Sequence, residues 1–390
     1  MHGGDQHHDF DNFKPSLDLN NLKVISALGR GAKGVVFLVQ TEKRELLALK
    51  AILRFSIEKK KITSSSSHGD HEHKKRLCFE GEALSSFHHP LLPKLHGVLI
   101  TDKIVGYAID YCPGRDLNFL RKKQPEKMFS VDIIKFYAAE LVLAVEYLHG
   151  LGIVYRDLKP DNVMIQQSGH LMLVDFDLST KLSAEPPQYR SAAASPEIKP
   201  KKKKKFAFFF RRRDSGISPD DAVHRVERGG VSVEKSNSFV GTEDYIAPEI
   251  ILGHGHDFAV DWWCLGVMLY EMLYGTTPFR GANRKETFHR IITEELNLTG
   301  ELTPLRDLIG KLLEKDPNKR ICVGEIKGHD FFKAVDWEGI LEMARPPFIP
   351  ELTDIEDMSG HKDINVEDYV QGVFKVGKEG KLENNEKLDK

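Results

Sequence analysis

The chain has 390 residues, room for two or three structural units, with 41% hydrophobic and 29% charged residues and a net charge of −2, the balance of a globular protein. That near-neutrality excludes a global pull toward nucleic acid or membrane, so any such attraction must be local. Four cysteines, Cys78, Cys112, Cys264 and Cys322, lie far apart without a CxxC pair, which fits reduced cytosolic thiols better than a disulfide frame or a zinc site.

Residues 1–21 are polar and acidic, lack the apolar stretch of a secretory signal, and are expected to be flexible. Residues 22–55 predict strands: "LKVISALG" and "GVVFLVQ" flank a glycine cluster, and "LLALKAIL" follows. Residues 56–76 are low in complexity and predict an exposed insertion. Its His68, His71 and His73 have metal-binding chemistry, but no further ligand lies at zinc-site spacing, so a solvated loop is expected. Ser130 is placed to cap a long helix, in which Ile134, Tyr137, Leu141, Val145 and Leu148 recur on one face and Gly150 serves as the stop signal. Residues 183–237 lose periodicity and are expected to be disordered, with order resuming near Phe239. "DWWCLGVMLYEMLYG" predicts a helix, and its apolar run, Trp262 to Tyr270, is too short to span a bilayer. After Phe332 the chain passes through "PPFIPELTD" to a charged end that is expected to be frayed.

Chemistry enters with "GRGAKGVV". Gly29, Gly31 and Gly34 stand in a GxGxxGxV arrangement between two strand patterns, and glycines let backbone amides approach phosphate oxygens. The strand-turn-strand context predicts a flap over nucleotide phosphates rather than a Rossmann crossover, which would need a helix there. Lys50, ending "LLALK", is placed to pair with phosphates if a carboxylate orients it. Glu80 and Glu82 are the candidates, and spacing from "HHPLLP" favours Glu80. "YRDLKPDNVMI" then supplies Asp157 to accept a hydroxyl proton, Lys159 to neutralise a transferring phosphoryl group, and Asn162 to hold a metal ion. "LVDFDLS" offers Asp175, a hard oxygen ligand suited to Mg²⁺, and "APEI" follows at Ala247–Ile250.

In this order the motifs resemble those of eukaryotic protein kinases over about residues 22–332. "SNSFVGTEDYIAPEI", Tyr155 in the usual histidine place of the "YRDLKP" loop, and "PPFIP" narrow the likeness to AGC serine/threonine kinases. "DFD" for DFG, with a long insertion before APE, is similar to the plant AGC VIII group, which includes the unicorn and oxidative-signal-inducible kinases. The resemblance implies an α+β, bilobal protein kinase fold. A β-rich N-lobe would cover about 22–110 and a mainly α-helical C-lobe about 111–332, with an AGC-type tail over 333–390. It also implies ATP and Mg²⁺ as cofactors, the nucleotide held by Gly29, Arg30, Gly31, Ala32, Gly34, Val36, Ala48, Lys50 and a hinge through Asp110, Tyr111 and Cys112, with Ile109 as gatekeeper. Ser238 matches the activation-loop phosphosite, clamped by Arg156. Thr242 matches the residue that contacts Asp157, Asp261 the support of the catalytic loop, and Glu249–Arg320 a buried ion pair. Asp116, Asp161 and Glu271 fall where AGC kinases face the peptide or ribose, which implies protein substrates with basic residues upstream of Ser or Thr.

Two departures stand out. Asp177 replaces the DFG glycine and is expected to restrict that turn without abolishing activity. The tail has a lone Phe374 and no FxxF, the motif by which many AGC kinases dock an upstream phosphoinositide-dependent kinase. That kinase is an expected partner of the family, but the missing motif weighs against this route and leaves Ser238 to phosphorylation through another recruitment or by the enzyme itself. The insertion between Asp175 and Glu249 carries "KPKKKKKFAFFFRRRD". Lys201–Arg213 combine eight positive charges with four phenylalanines, which suits an anionic membrane, a nuclear import signal, or a solvated loop. Cytoplasm, with peripheral plasma membrane or nucleus through this tract, is the expected location. Ser215, behind Arg211 and Arg212, fits an autophosphorylation site whose phosphate weakens anion binding. No specific nucleic acid is expected, and a monomer is. A nucleotide-binding pseudokinase or scaffold is the rival reading, which the presence of Lys50, Asp157 and Asp175 disfavours.

Overall fold

The computed structural model describes residues 16–31, 34–54, 79–182, 223–228, 231–236, 238, 240–343, 348 and 364–375. Ala32, the 56–76 insertion with its histidines, Cys78, and the basic tract with Ser215 lie outside the described residues.

Six strands build the small lobe: β1 (Ser16–Leu17), β2 (Leu22–Arg30), β3 (Gly34–Thr41), β4 (Leu46–Leu53), β5 (Leu95–Ile100) and β6 (Ile104–Asp110). Their order is β1-β5-β6-β4-β3-β2, antiparallel throughout except for β1 beside β5. Register decides what each face carries. Val36 pairs with Lys50 and Leu38 with Ala48. Side chains alternate along a strand, so Val36, Ala48 and Lys50 share one face, and Val35, Phe37, Leu47 and Leu49 share the other. The first face also carries Ile52, Val105 and Tyr107, which pack with Ala83, Leu84 and Phe87 from the region of helix α1 (79–86).

The second face is covered by helix α9 (Val366–Lys375), whose Val366 and Val370 are buried against Val35, Phe37, Leu47, Leu49 and Ile104. Fully burying one valine contributes about 1.5–3 kcal/mol, so this short helix has a firm seat. The expectation of a frayed end is therefore corrected over these residues: Asn365 caps the helix by accepting from Asp368 N at 3.1 Å, and Lys103 pairs with Glu367 at 3.0 Å.

The large lobe contains α2 (Leu117–Lys122), α3 (Val131–Gly150), α4 (Pro248–Ile251), α5 (Ala259–Tyr274), α6 (Arg284–Thr293), α7 (Pro304–Leu312) and α8 (Val323–Lys327). Ser130 caps α3 by accepting from Ile133 N. Ile134, Tyr137, Leu141, Val145 and Leu148 are buried as the periodicity predicts, but so are Ala138, Ala139 and Val142, because α3 runs through the middle of the lobe rather than along its surface. Gly150 does not stop this helix. It is the last helical residue, and the left-handed turn is taken by Gly152 at φ +75°. α5 packs against α3 and α7 and ends at Gly275, φ 74°, the expected glycine stop.

Two short pairs carry the loops of interest. β7 (Ile153–Val154) pairs with β10 (Thr180–Lys181), and β8 (Val163–Ile165) with β9 (Leu171–Leu173). The insertion brings a further correction. Strands β11 (Val223–Arg228) and β12 (Val231–Ser236) pair antiparallel, Arg228 opposite Val231, so order begins well before Phe239. The sequence carries a signal for it: Gly229-Gly230 between the valine-containing segments "VHRVER" and "VSVEKS" is a two-residue turn pattern.

Beneath the β8–β9 hairpin, buried Glu140 accepts from Leu171 N at 2.9 Å and hydrogen-bonds His170 Nδ1. The bond to Glu140 raises the His170 pKa above its ordinary 6.5. Burial pushes Glu140 up as well, outweighing the hydrogen bonds that favour its ionised form. Both shifts mean the folded pair binds protons more tightly than the unfolded chain. The His170 part of this stability is complete below about pH 6.5 and is lost as pH rises through its higher folded value, and the Glu140 part is complete only below about pH 4.5 and is lost through its own raised value. The melting temperature gap between the wild type and His170→Gln should therefore narrow from pH 5.5 to pH 8.5, and a constant gap would contradict the assignment.

Candidate active site

The site lies where the inner sheet face meets the loops of the large lobe. Gly31 N donates to Gly34 O at 2.8 Å, closing the turn of the glycine flap. At Gly34 a Cβ would sit 2.7 Å from the Ala51 carbonyl oxygen, so β3 and β4 meet there only because the residue is glycine. Gly29, Arg30 and Gly31 are exposed at the flap edge.

Lys50 reaches from β4 to two carboxylates, Glu80 Oε1 at 2.7 Å and Asp175 Oδ1 at 2.9 Å. Glu82, the other candidate partner, is exposed. Burial alone would pull the Lys50 ammonium down, but Glu80, Asp175 and Asp177 outweigh it and hold its pKa above the usual lysine value, so it stays charged. Burial raises Glu80 against the opposing pull of Lys50. Asp177 is the member of this carboxylate cluster that the sequence did not assign to it. Nor does Asp177 sit where only glycine is comfortable. The left-handed residue of the DFD stretch is Asp175, φ 61°, so replacing the glycine is not costly there. Phe176 lies between Phe87 and Tyr155, with ring centroids 4.7 and 5.4 Å away, and this packing ties α1 to the catalytic loop.

In that loop the Asp157 carboxylate accepts from Lys159 Nζ at 2.7 Å, Asn162 Nδ2 at 2.9 Å and Thr242 Oγ1 at 2.9 Å. Lys159 also donates to Thr242 Oγ1 at 2.9 Å. The loop backbone is held from below by buried Asp261, which accepts from Tyr155 N at 2.9 Å and Arg156 N at 2.7 Å and also binds His149. Val174 N donates to Asn162 O at 3.0 Å, so Asp175 is referenced to the same loop. Arg156, φ 71°, adopts a conformation that is uncommon outside glycine. Its guanidinium donates to Ser236 Oγ at 3.1 Å, to Ser238 Oγ, and to Leu178 O at 2.5 Å. Buried His256 lies beside it, Nε2 3.5 Å from Nη1, a neighbour the sequence did not reveal. Its backbone bridges to Ser236 at 2.7 and 2.8 Å.

The Asp110 carboxylate accepts from Lys94 N and meets His96 Nε2, both at 2.7 Å. Cys112 is buried, 3.6 Å from Met172 Sδ, and burial pushes its thiol up to about 12. Ile109 pairs with Ala48. The three acidic groups expected to face a peptide differ in disposition. Asp116 caps α2, accepting from Phe119 N at 2.7 Å. Glu271 is held by Arg121 at 2.8 Å and by the Tyr245 hydroxyl. Asp161 is exposed and accepts only from Asn118 at 2.9 Å among the bonds described.

The donor set fits Mg²⁺ and a polyphosphate. Asp175 offers a carboxylate that is 45% exposed, Asn162 an amide oxygen, and Lys50 and Lys159 are cations on either side. Among the described residues no cluster of three or more His, Cys, Asp or Glu forms a separate metal site, and no described helix is long and apolar enough to cross a membrane.

Comparison with known proteins agrees with this geometry. A protein kinase domain model matches residues 22–199 and 226–332. Serine/threonine-protein kinase OXI1 of Arabidopsis thaliana is 58% identical over 93% of this chain and 87% of its own length. From the same plant, serine/threonine-protein kinase UCN is 42% identical over 88% of this chain and 87% of its own, and UCNL 40% over 89% and 88%. Protein kinases of this kind use ATP and Mg²⁺ and act on proteins. The chain belongs to the protein kinase family and is a serine/threonine kinase of the AGC type.

Proposed function

We propose that the γ-phosphoryl group of ATP, bound with Mg²⁺ between Lys50, Asn162 and Asp175, is passed to Ser or Thr hydroxyls that follow basic residues. The observation that carries this is the double convergence at one site: Lys50 spans Glu80 and Asp175, and Asp157 gathers Lys159, Asn162 and Thr242. Mg²⁺, when bound, neutralises phosphate charge. Asp157 accepts the proton of the attacking hydroxyl. Lys159, on the same carboxylate, moves its charge onto the transferring group. Lys50, kept charged and aimed by Glu80, holds the nucleotide phosphates in line.

Activation follows from Arg156. A phosphate on Ser238 carries about two negative charges and would sit on a guanidinium already aimed at that hydroxyl. Arg156 precedes Asp157, and Thr242 lies four residues after Ser238, so fixing the segment also seats Thr242 on Asp157. Ser238 is 1% exposed here, so an upstream kinase, or another copy of this enzyme, must reach it before the segment docks. Lys201–Arg213 add an anion-seeking tract for membrane or nuclear targeting.

Substrate preference rests on the open carboxylate of Asp161, with Glu271 a weaker contributor because Arg121 already neutralises it. A peptide with arginines two and three residues before the serine should show roughly tenfold higher kcat/KM than its alanine counterpart, a gain of about 1.4 kcal/mol. Equal values for the two peptides would remove the basic-context reading.

A further inference from the structure

The loop that runs from α4 into α5 carries His256, shortly before Asp261. Its backbone pairs with that of Ser236 in both directions: His256 N donates to Ser236 O at 2.7 Å, and Ser236 N to His256 O at 2.8 Å. This bridge fastens the end of β12, and the activation segment behind it, to the root of α5. The same root holds the catalytic loop, because Asp261 accepts from Arg156 N at 2.7 Å. Side chains from these segments meet around the Ser238 hydroxyl. Arg156 Nη1 donates to Ser238 Oγ, Ser236 Oγ lies 2.9 Å from that oxygen, and His256 Nε2 lies 3.5 Å from Arg156 Nη1. All four residues are at most 2% exposed.

We infer that His256 is the second side chain, after Arg156, to bind a phosphate on Ser238, and that it is a positioning residue joining the phosphorylated segment to α5. This rests on the activation reading given above and adds a ligand to it. A phosphate brings three acceptor oxygens. The edge of one guanidinium serves two of them, so a further donor is needed where the group is shut away from water. An imidazole suits the change of state. With the serine unmodified, Nε2 faces an Arg156 N–H and accepts. With a phosphate in place, Nε2 carries the proton, gained by tautomer exchange or from solvent, and donates. A side chain fixed as donor or as acceptor could serve only one of the two states. Because Arg156 and His256 are both referenced to the root of α5, the phosphate would lock the segment to the platform that supports the Asp157 loop.

The experiment uses full-length enzyme with serine or genetically encoded phosphoserine at position 238, in the wild type and in His256→Phe, His256→Gln and His256→Asn. The readout is the gain, the ratio of phosphorylated to unphosphorylated kcat/KM, which a general loss of structure leaves alone because both forms share it. The rate at which a phosphatase removes the Ser238 phosphate is the second measurement, and melting temperature reports folding. His256→Phe should cut the gain roughly tenfold and speed phosphate removal by a similar factor, the low end for a hydrogen bond to a charged group. His256→Gln places an amide near the position of Nε2, can turn over to donate or accept, and should recover most of both. His256→Asn is too short to reach and should not. If His256→Phe fails to melt cooperatively, the contrast between Gln and Asn carries the test. A wild-type gain and phosphate lifetime in His256→Phe, or equal values for Gln and Asn, overturn the inference. A wild type whose kcat/KM is the same with and without the Ser238 phosphate overturns the activation reading instead, and phosphate removal then decides alone whether His256 is a ligand.

Discussion

Asp157→Asn should lower kcat by about 10²–10⁴-fold, the usual contribution of a positioned general base, while ATP binding changes little. The carboxylate accepts three side-chain donors at once, from Lys159, Asn162 and Thr242. An amide in its place cannot take the hydroxyl proton. It also puts an NH₂ group against at least one of those donors, which loosens Thr242 and with it the activation segment. Lys50 is bonded to Glu80 and Asp175, and Asp157 to a different set of side chains, so nucleotide affinity, read by titration with a fluorescent ATP analogue, should stay within about threefold, roughly 0.7 kcal/mol. This split distinguishes a chemical role from a folding defect. A variant that keeps a tenth or more of the wild-type kcat would mean that Asp157 only orients the substrate. Loss of nucleotide binding together with kcat would mean that it holds the two lobes in register.

Much of this site was legible in the residues. Lys50, Asp157, Lys159, Asn162 and Asp175 sit in short segments whose spacing is set by strands and tight loops, so sequence distance translates into position. The choice of Glu80 over Glu82 also follows, because a helix presents only one of two residues two apart to the same side. What escaped the sequence depends on partners far along the chain. Arg121 on Glu271 is a contact across 150 residues. His256 beside Arg156 comes from a glycine-rich turn with no periodicity. The frayed-tail expectation failed because "VEDYVQGVFK" is short and charged, and its apolar positions make sense only against the outer face of the sheet. That need was nevertheless written in β3 and β4. "GVVFLVQ" and "LLALKAIL" are apolar at successive positions, not alternate ones, and strands of that kind are covered on both faces. The pairing of β11 with β12 is hard to read from composition, because it lies within a polar, low-complexity insertion that masks a local turn pattern.

Arg320→Ala should lower stability by about 3–5 kcal/mol, the cost of leaving one member of a buried ion pair uncompensated, and should slow catalysis even where the variant remains folded. Arg320 binds Glu249 through two bonds of 2.7 and 3.0 Å, and the two side chains are 0% and 3% exposed. It also donates to Ala259 O at 2.8 Å and Glu314 O at 2.9 Å, with its guanidinium 5.2 Å from the Trp263 ring centroid. Alanine removes all of these and leaves a carboxylate and two carbonyls facing a cavity. Glu249 stands in the first turn of α4, a few residues after Thr242 and Tyr245, so its release loosens the segment that places Thr242 on Asp157. Chemical denaturation gives the stability change, and kcat measured well below the melting transition gives the catalytic one. Adding Glu249→Gln to Arg320→Ala should recover part of the stability, because the stranded charge is gone, but not the rate, because the brace is still missing. A loss below about 1 kcal/mol would be that of an exposed pair and would contradict the burial seen here. A full rate in the single variant would show that Thr242 is seated without help from α4.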